Sequence, residues 1–141
     1  MKKLFVVFII LFVFSNLNAQ QAYNQTALEH LKRGIEYLLS GDYNNAVISI
    51  NHVIRLDPRS AVNYILRARA YYELNDLEKA IADCTHAIRL DRSNSAAFTI
   101  RGNAFIKNGD TAKAIEDWEA ALRFNPNNEE AKHNLQLAKK Q

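Results

Sequence analysis

The chain has 141 residues, enough for one modest domain. Its 18 Lys and Arg against 15 Asp and Glu give a net charge of +3 with no long run of like charges, which argues against nucleic acid as a partner. A single cysteine, Cys84, rules out an internal disulfide, so packing alone must hold the fold.

The first element is a targeting segment. Met1-Lys2-Lys3 is basic, residues 4–14 (LFVVFIILFVF) are an unbroken apolar run of 11, and residues 15–19 (SNLNA) are polar and end small. Basic start, short apolar run and small residue make the pattern of a secretory signal peptide, predicted here as 1–19 with Gln20 first after the cut. A spanning helix needs about 20 apolar residues, so stable membrane insertion is not expected after cleavage. The alternative is a chain tethered to the membrane by an uncleaved segment. No cysteine stands near Ala19 to carry a lipid. The expected location is therefore exported, periplasmic or secreted. Without Lys2 and Lys3 the balance is 16 basic to 15 acidic residues, a charge of +1. An exposed lone thiol is a liability in an oxidising compartment, so Cys84 is expected to be buried.

Residues 20–26 read as a short leader. Thr26 with Glu29 fits a capping box that would open the first folded helix. From there the sequence repeats with a period of 34. Arg33, Arg67 and Arg101 coincide, as do Asp42, Asp76 and Asp110, and Ala46, Ala80 and Ala114. Similar residues fall at Gly34, Ala68 and Gly102, at Tyr37, Tyr71 and Phe105, and at Ile50, Cys84 and Trp118. The units are 27–60, 61–94 and 95–128. Each reads as two helices with apolar steps of three or four residues. Between the two lies Gly41-Asp42, Asn75-Asp76 or Gly109-Asp110, a left-handed stop followed by an N-cap. Ser60, Asn94 and Asn128 are cap-type residues ahead of the later starts. Pro58 and Pro126 close the second helix of their units, whereas Arg92 at the equivalent place predicts a less rigid junction. Residues 129–141 form a last helix whose narrow stripe of Ala131, Leu135 and Ala138 can cap the stack.

Small residues recurring against large ones at fixed offsets are a packing code. The pattern resembles the tetratricopeptide repeat family over residues 27–128. The small eighth, aromatic eleventh and Ala twentieth positions of that family are all present, and residues 101–122 match best. Two features depart from it. His30 replaces a large fourth residue in the first unit, and the seventh, often Leu, is Arg in all three. The resemblance implies an all-α, right-handed superhelical solenoid of helix-turn-helix repeats with a concave groove.

The resemblance also implies which residues line that groove. The first unit would present Leu28, Leu31, Ile35, Leu38 and Leu39, and the second Val62, Ile65, Arg69, Tyr72 and Glu73. The third would present Ala96, Thr99, Asn103, Ile106 and Lys107. The groove then grades from aliphatic to mixed polar, and its apolar end marks a binding face. A protein or peptide partner is expected there, with a homo-oligomer through the Leu28–Leu39 face, or cover by residues 20–26, as alternatives. Chaperone-binding members of the family resemble one another in a clamp of Lys, Asn and Arg for a terminal carboxylate. Its matching positions here are Leu31, Ile35, Leu66, Ala96 and Ile100, none able to donate a hydrogen bond.

His52 and His86 are one period apart, but no Cys or acid cluster accompanies them, so no metal or cofactor is expected. Cys84 takes a core slot, and no phosphate loop or nucleophile elbow occurs, so an enzyme is not expected. Asp83 and Asp117 recur at a fixed offset from Arg67 and Arg101. A structural Arg–Asp pair is preferred over a cationic ladder for an acidic ligand.

Overall fold

The computed structural model describes the backbone of residues 2–140 and the side chains of residues 11–140. The side chains of the basic start and of most of the apolar run therefore lie outside the described residues, as does Gln141. Seven helices and no strand occur among the described residues. In chain order they are α1 (Lys2–Ser40), α2 (Tyr43–Leu56), α3 (Ala61–Glu73), α4 (Leu77–Leu90), α5 (Ser95–Lys107), α6 (Thr111–Phe124) and α7 (Glu129–Ala138). Successive helices pack as antiparallel hairpins α1/α2, α3/α4 and α5/α6, and each hairpin stacks on the next.

The turns inside the hairpins are set by two residues each. Gly41, Asn75 and Gly109 take positive φ values of 80°, 63° and 87°, the left-handed conformation that ends a helix. Asp42, Asp76 and Asp110 then accept from the backbone N–H of Asn45, Lys79 and Lys113, each three residues on. Between hairpins, Asn94 and Asn128 cap α5 and α7 through their side chains. Ser60 stands at the N-cap of α3 but makes no side-chain cap bond, contrary to expectation. At the junction without proline, Asp91 accepts from the N–H and hydroxyl of Ser93 and from Asn94, so hydrogen bonds hold the turn. Those bonds lower the Asp91 carboxyl, the Ser93 hydroxyl contributing most.

The start of the first repeat is a correction. No capping box opens a helix at Thr26. Residues 20–26 lie inside α1, which runs without a break from Lys2 to Ser40. The Thr26 hydroxyl turns back and donates to the Ala22 carbonyl at 2.9 Å, as threonine does in mid-helix. No glycine or proline occurs between Lys2 and Arg33, so nothing in the chain stops the helix. The Tyr23 hydroxyl donates to the carbonyl of Leu56, a helix-end carbonyl of α2. The leader is thus docked on the first hairpin and does not fold back over the α1 face.

Within the hairpins, a small residue meets a residue of matched size. A Cβ added to Gly34 would lie 2.8 Å from Ile50, and one added to Gly102 would lie 2.8 Å from the Trp118 indole nitrogen. The second repeat uses Ala68 with Cys84, both fully buried in one cluster. Ala46, Ala80 and Ala114 are likewise fully buried. Ala114→Leu is expected to lower stability by about 1–3 kcal/mol through overpacking, read from a urea unfolding curve.

Candidate functional site

Two of the three recurring arginines, Arg67 and Arg101, are structural. Arg67 donates through Nε and Nη2 to the two carboxylate oxygens of Asp83, both at 2.7 Å, and Arg101 does the same to Asp117 at 2.8 Å. The third donor of each reaches back one repeat, Arg67 Nη1 to Asn51 at 2.6 Å and Arg101 Nη1 to Thr85 at 3.1 Å. Each guanidinium also lies near aromatic rings one turn away, Tyr64 and Tyr71 for Arg67 and Phe98 and Phe105 for Arg101. The seventh-position arginine therefore fills an aromatic slot while pairing with a buried acid, which accounts for the departure from leucine. Arg33, whose counterpart is Ser49, is exposed.

The apolar end of the face is open. Leu28 and Leu39 on α1 are 65% and 84% exposed, Ile35 is also exposed, and Leu31 and Leu38 are half-buried. On α3, Val62 and Arg69 are exposed and Ile65 and Tyr72 half-buried. Arg69 pairs with Glu73 at 3.5 Å.

The other end is closed differently from the expectation. Thr99 is buried: its hydroxyl donates to the Ser95 carbonyl and accepts from the amide of Asn128, the cap of α7. Asn103 is also buried and serves as a hub. Its Oδ1 accepts from Trp118 Nε1 at 2.9 Å and from Asn134 Nδ2 at 2.8 Å, while its Nδ2 donates to Glu130 Oε1 at 2.8 Å. Two residues assigned to a ligand are thus engaged by α7. That helix buries Ala131 against Trp118 and Ala121, with Leu135 and Ala138 alongside, as its apolar stripe predicts.

The adjoining side of α7 builds a pocket of about 450 Å³, with Ala138 and Trp118 shared between core and pocket. Tyr72 of α3, Asn103 and Ile106 of α5 and Trp118 of α6 form part of its lining. Glu130, Asn134 and Leu137 of α7 form the facing wall. Of the predicted groove residues, Tyr72, Asn103 and Ile106 converge here. The α7 wall escaped the reading, although its polar residues (Glu130, Asn134) fall one turn apart on one helical face, a signal that could have flagged it. The ammonium of Lys107 sits 4.9 Å from the Tyr72 ring centre. Burial first, then Glu73 and Glu130, raise the Tyr72 phenol above its ordinary value.

Cys84 is fully buried, and burial pushes its thiol up to about 12 against the opposing pull of Arg101, so it stays protonated and unreactive. His52 stacks on His30 with ring centres 4.6 Å apart, whereas His86 packs on Tyr64. The period-related histidines are separate packing pairs.

A family model described as tetratricopeptide repeat matches residues 31–95 and again 65–129. No curated protein matches the chain. Among solved structures, the chain is similar to the first TPR of Spaghetti (RPAP3) bound to the HSP90 peptide SRMEEVD. The two share 32% identity with a TM-score of 0.78, over 82% of this chain and 92% of that one. The second TPR domain of human RPAP3, in complex with the HSP70 peptide SGPTIEEVD, is 34% identical with a TM-score of 0.78, over 84% and 99%. The Arabidopsis OM64 TPR domain is 28% identical with a TM-score of 0.81, over 84% and 98%.

Proposed function

The chain belongs to the tetratricopeptide repeat family, and from that premise we propose that it is an exported interaction scaffold that holds a peptide or a partner helix on the face formed by α1, α3 and α7. The observation that carries the reading is an open apolar face in the same helical stack as a preformed pocket. Leu28, Ile35 and Leu39 of α1 and Val62 of α3 are exposed aliphatic residues, and α3 also lines a preformed pocket through Tyr72. The solved relatives complexed with HSP90 and HSP70 peptides support peptide binding as the mode.

The recognition chemistry differs from a carboxylate clamp. At the clamp positions, Ile35 and Ala96 are exposed, Leu31 and Leu66 half-buried, and Ile100 buried. A terminal carboxylate set there would lose water and gain no donor. The partner instead offers apolar side chains, as one face of an amphipathic helix does. Tyr72→Ala is expected to weaken binding by about 1–2 kcal/mol or more, measured by calorimetry with a partner recovered by pull-down. Binding that needs the partner's terminal carboxylate and ignores Tyr72→Ala would contradict this reading.

Export rests on the sequence of residues 1–19. No helix among the described residues is long and apolar enough to cross a membrane. The cell-derived protein is expected to have an intact mass beginning at or near Gln20. A membrane fraction carrying the mass of the uncleaved chain would support the tethered alternative. The exposed Leu28 and Leu39 also suit self-association. Sedimentation separates the two uses, since a stable dimer favours a structural subunit.

A further inference from the structure

The pocket carries a charge preference that the groove reading alone does not specify. Glu130 is held at its wall by the Asn103 amide, which binds Oε1. Asn103 is fixed in turn by Trp118 and Asn134, which occupy both acceptor sites of its Oδ1. Among the described residues, Glu130 forms no ion pair and Oε2 has no hydrogen-bond partner. The nearby cations have other partners than Glu130: Arg69 pairs with Glu73, and Lys107 lies over the Tyr72 ring. The pocket thus offers a positioned carboxylate beside the apolar surfaces of Tyr72, Ile106 and Leu137, along which methylenes can lie.

Resting on the groove reading above, we propose that this pocket receives a lysine or arginine side chain of the bound peptide. Its charge meets Glu130 Oε2, and its methylenes lie along Tyr72 and Ile106. The volume of about 450 Å³ falls among pockets that enclose a small ligand, ample for one long side chain and part of its neighbour. Burial is the first cause of the raised Tyr72 phenol, and Glu73 and Glu130 add negative potential there against the opposing pull of Arg69. An acidic peptide end, as in the SRMEEVD and SGPTIEEVD complexes of the relatives, would face Glu130 and be repelled.

The test uses the full chain and a displayed library of random peptides with blocked C-termini. Enriched sequences are expected to carry Lys or Arg beside an apolar residue. Binding of one enriched peptide should change the emission of Trp118, the single tryptophan, which lines the pocket. Glu130→Gln keeps an oxygen for Asn103 but removes the charge, and should weaken that peptide about fivefold. An unchanged unfolding midpoint in this variant assigns the loss to charge. Replacing the peptide's basic residue by norleucine should cost the same in the wild type and nothing further in Glu130→Gln. Enriched peptides without basic residues, or equal affinity for Glu130→Gln, would overturn the charge assignment. If those peptides still weaken on Tyr72→Ala, the groove reading survives its loss. Enrichment of no peptide, or of peptides indifferent to both substitutions, would overturn both.

Discussion

Trp118→Ala is expected to lower the unfolding free energy by about 3–5 kcal/mol. The indole is 2% exposed and sits among Ala114, Ala121 and Ala131, with Phe105 and Leu135 packed against the same cluster. Removing it leaves a cavity beside the existing pocket and withdraws the N–H that fixes Asn103. Asn103 then loses one of the bonds that hold α7 in register through Asn134 and Glu130. Gly102 gives an independent check. A Cβ there meets the indole at 2.8 Å in the native chain, so Gly102→Ala should be destabilising alone and far less so beside Trp118→Ala. Urea unfolding of the two single variants and the double variant measures both terms. A loss below about 1 kcal/mol for Trp118→Ala would show that α6 does not pack as described.

Arg101→Met is expected to cost about 3 kcal/mol, at the lower end for breaking a buried pair because the arginine side chain is 19% exposed. Asp117, 7% exposed, would be left buried without its bidentate partner. Adding Asp117→Leu should recover much of the loss, because two apolar groups remove the stranded charge together with its mate. A double variant as weak as the single would mean that the arginine matters through its stacking between Phe98 and Phe105, not through the pair. The measurement is the midpoint and slope of chemical denaturation.

Much of this architecture is legible in the sequence because the physics is local and repeated. The left-handed residue followed by Asp marks every hairpin turn, and three copies at one spacing leave little freedom in register. The Arg–Asp pairs are readable for the same reason: an offset of 16 residues recurs with complementary charge. The extent of α1 is not legible from a cap signal. Thr26 suits a cap and a helix interior equally, and only the absence of any breaker upstream favours the second. That Thr99 and Asn103 bond to residues of α7 and its cap was not legible, because repeat position specifies a face but not what covers it. The cover is a terminal helix, and its stripe of Ala131 and Leu135 shows that it packs without showing over which edge its polar side projects.

The backward reach of the arginines has a consequence for how the molecule opens. Arg67 stitches α3 to both α4 and α2, and Arg101 stitches α5 to both α6 and α4. In the α1–α2 hairpin the aspartate's place is taken by Ser49, and Arg33 lies exposed. Units of a stack that touch only their neighbours separate first where the ties are fewest. The missing Arg–Asp pair predicts that the α1–α2 hairpin opens more readily than the α3–α4 and α5–α6 hairpins, a difference that amide hydrogen exchange would read. The α1–α2 hairpin is also the one that carries Leu28, Ile35 and Leu39, the most open apolar surface of the face. A partner seated on that surface would quench the opening, so part of its binding energy would be spent on ordering the scaffold, and the bound protein would be the more rigid one.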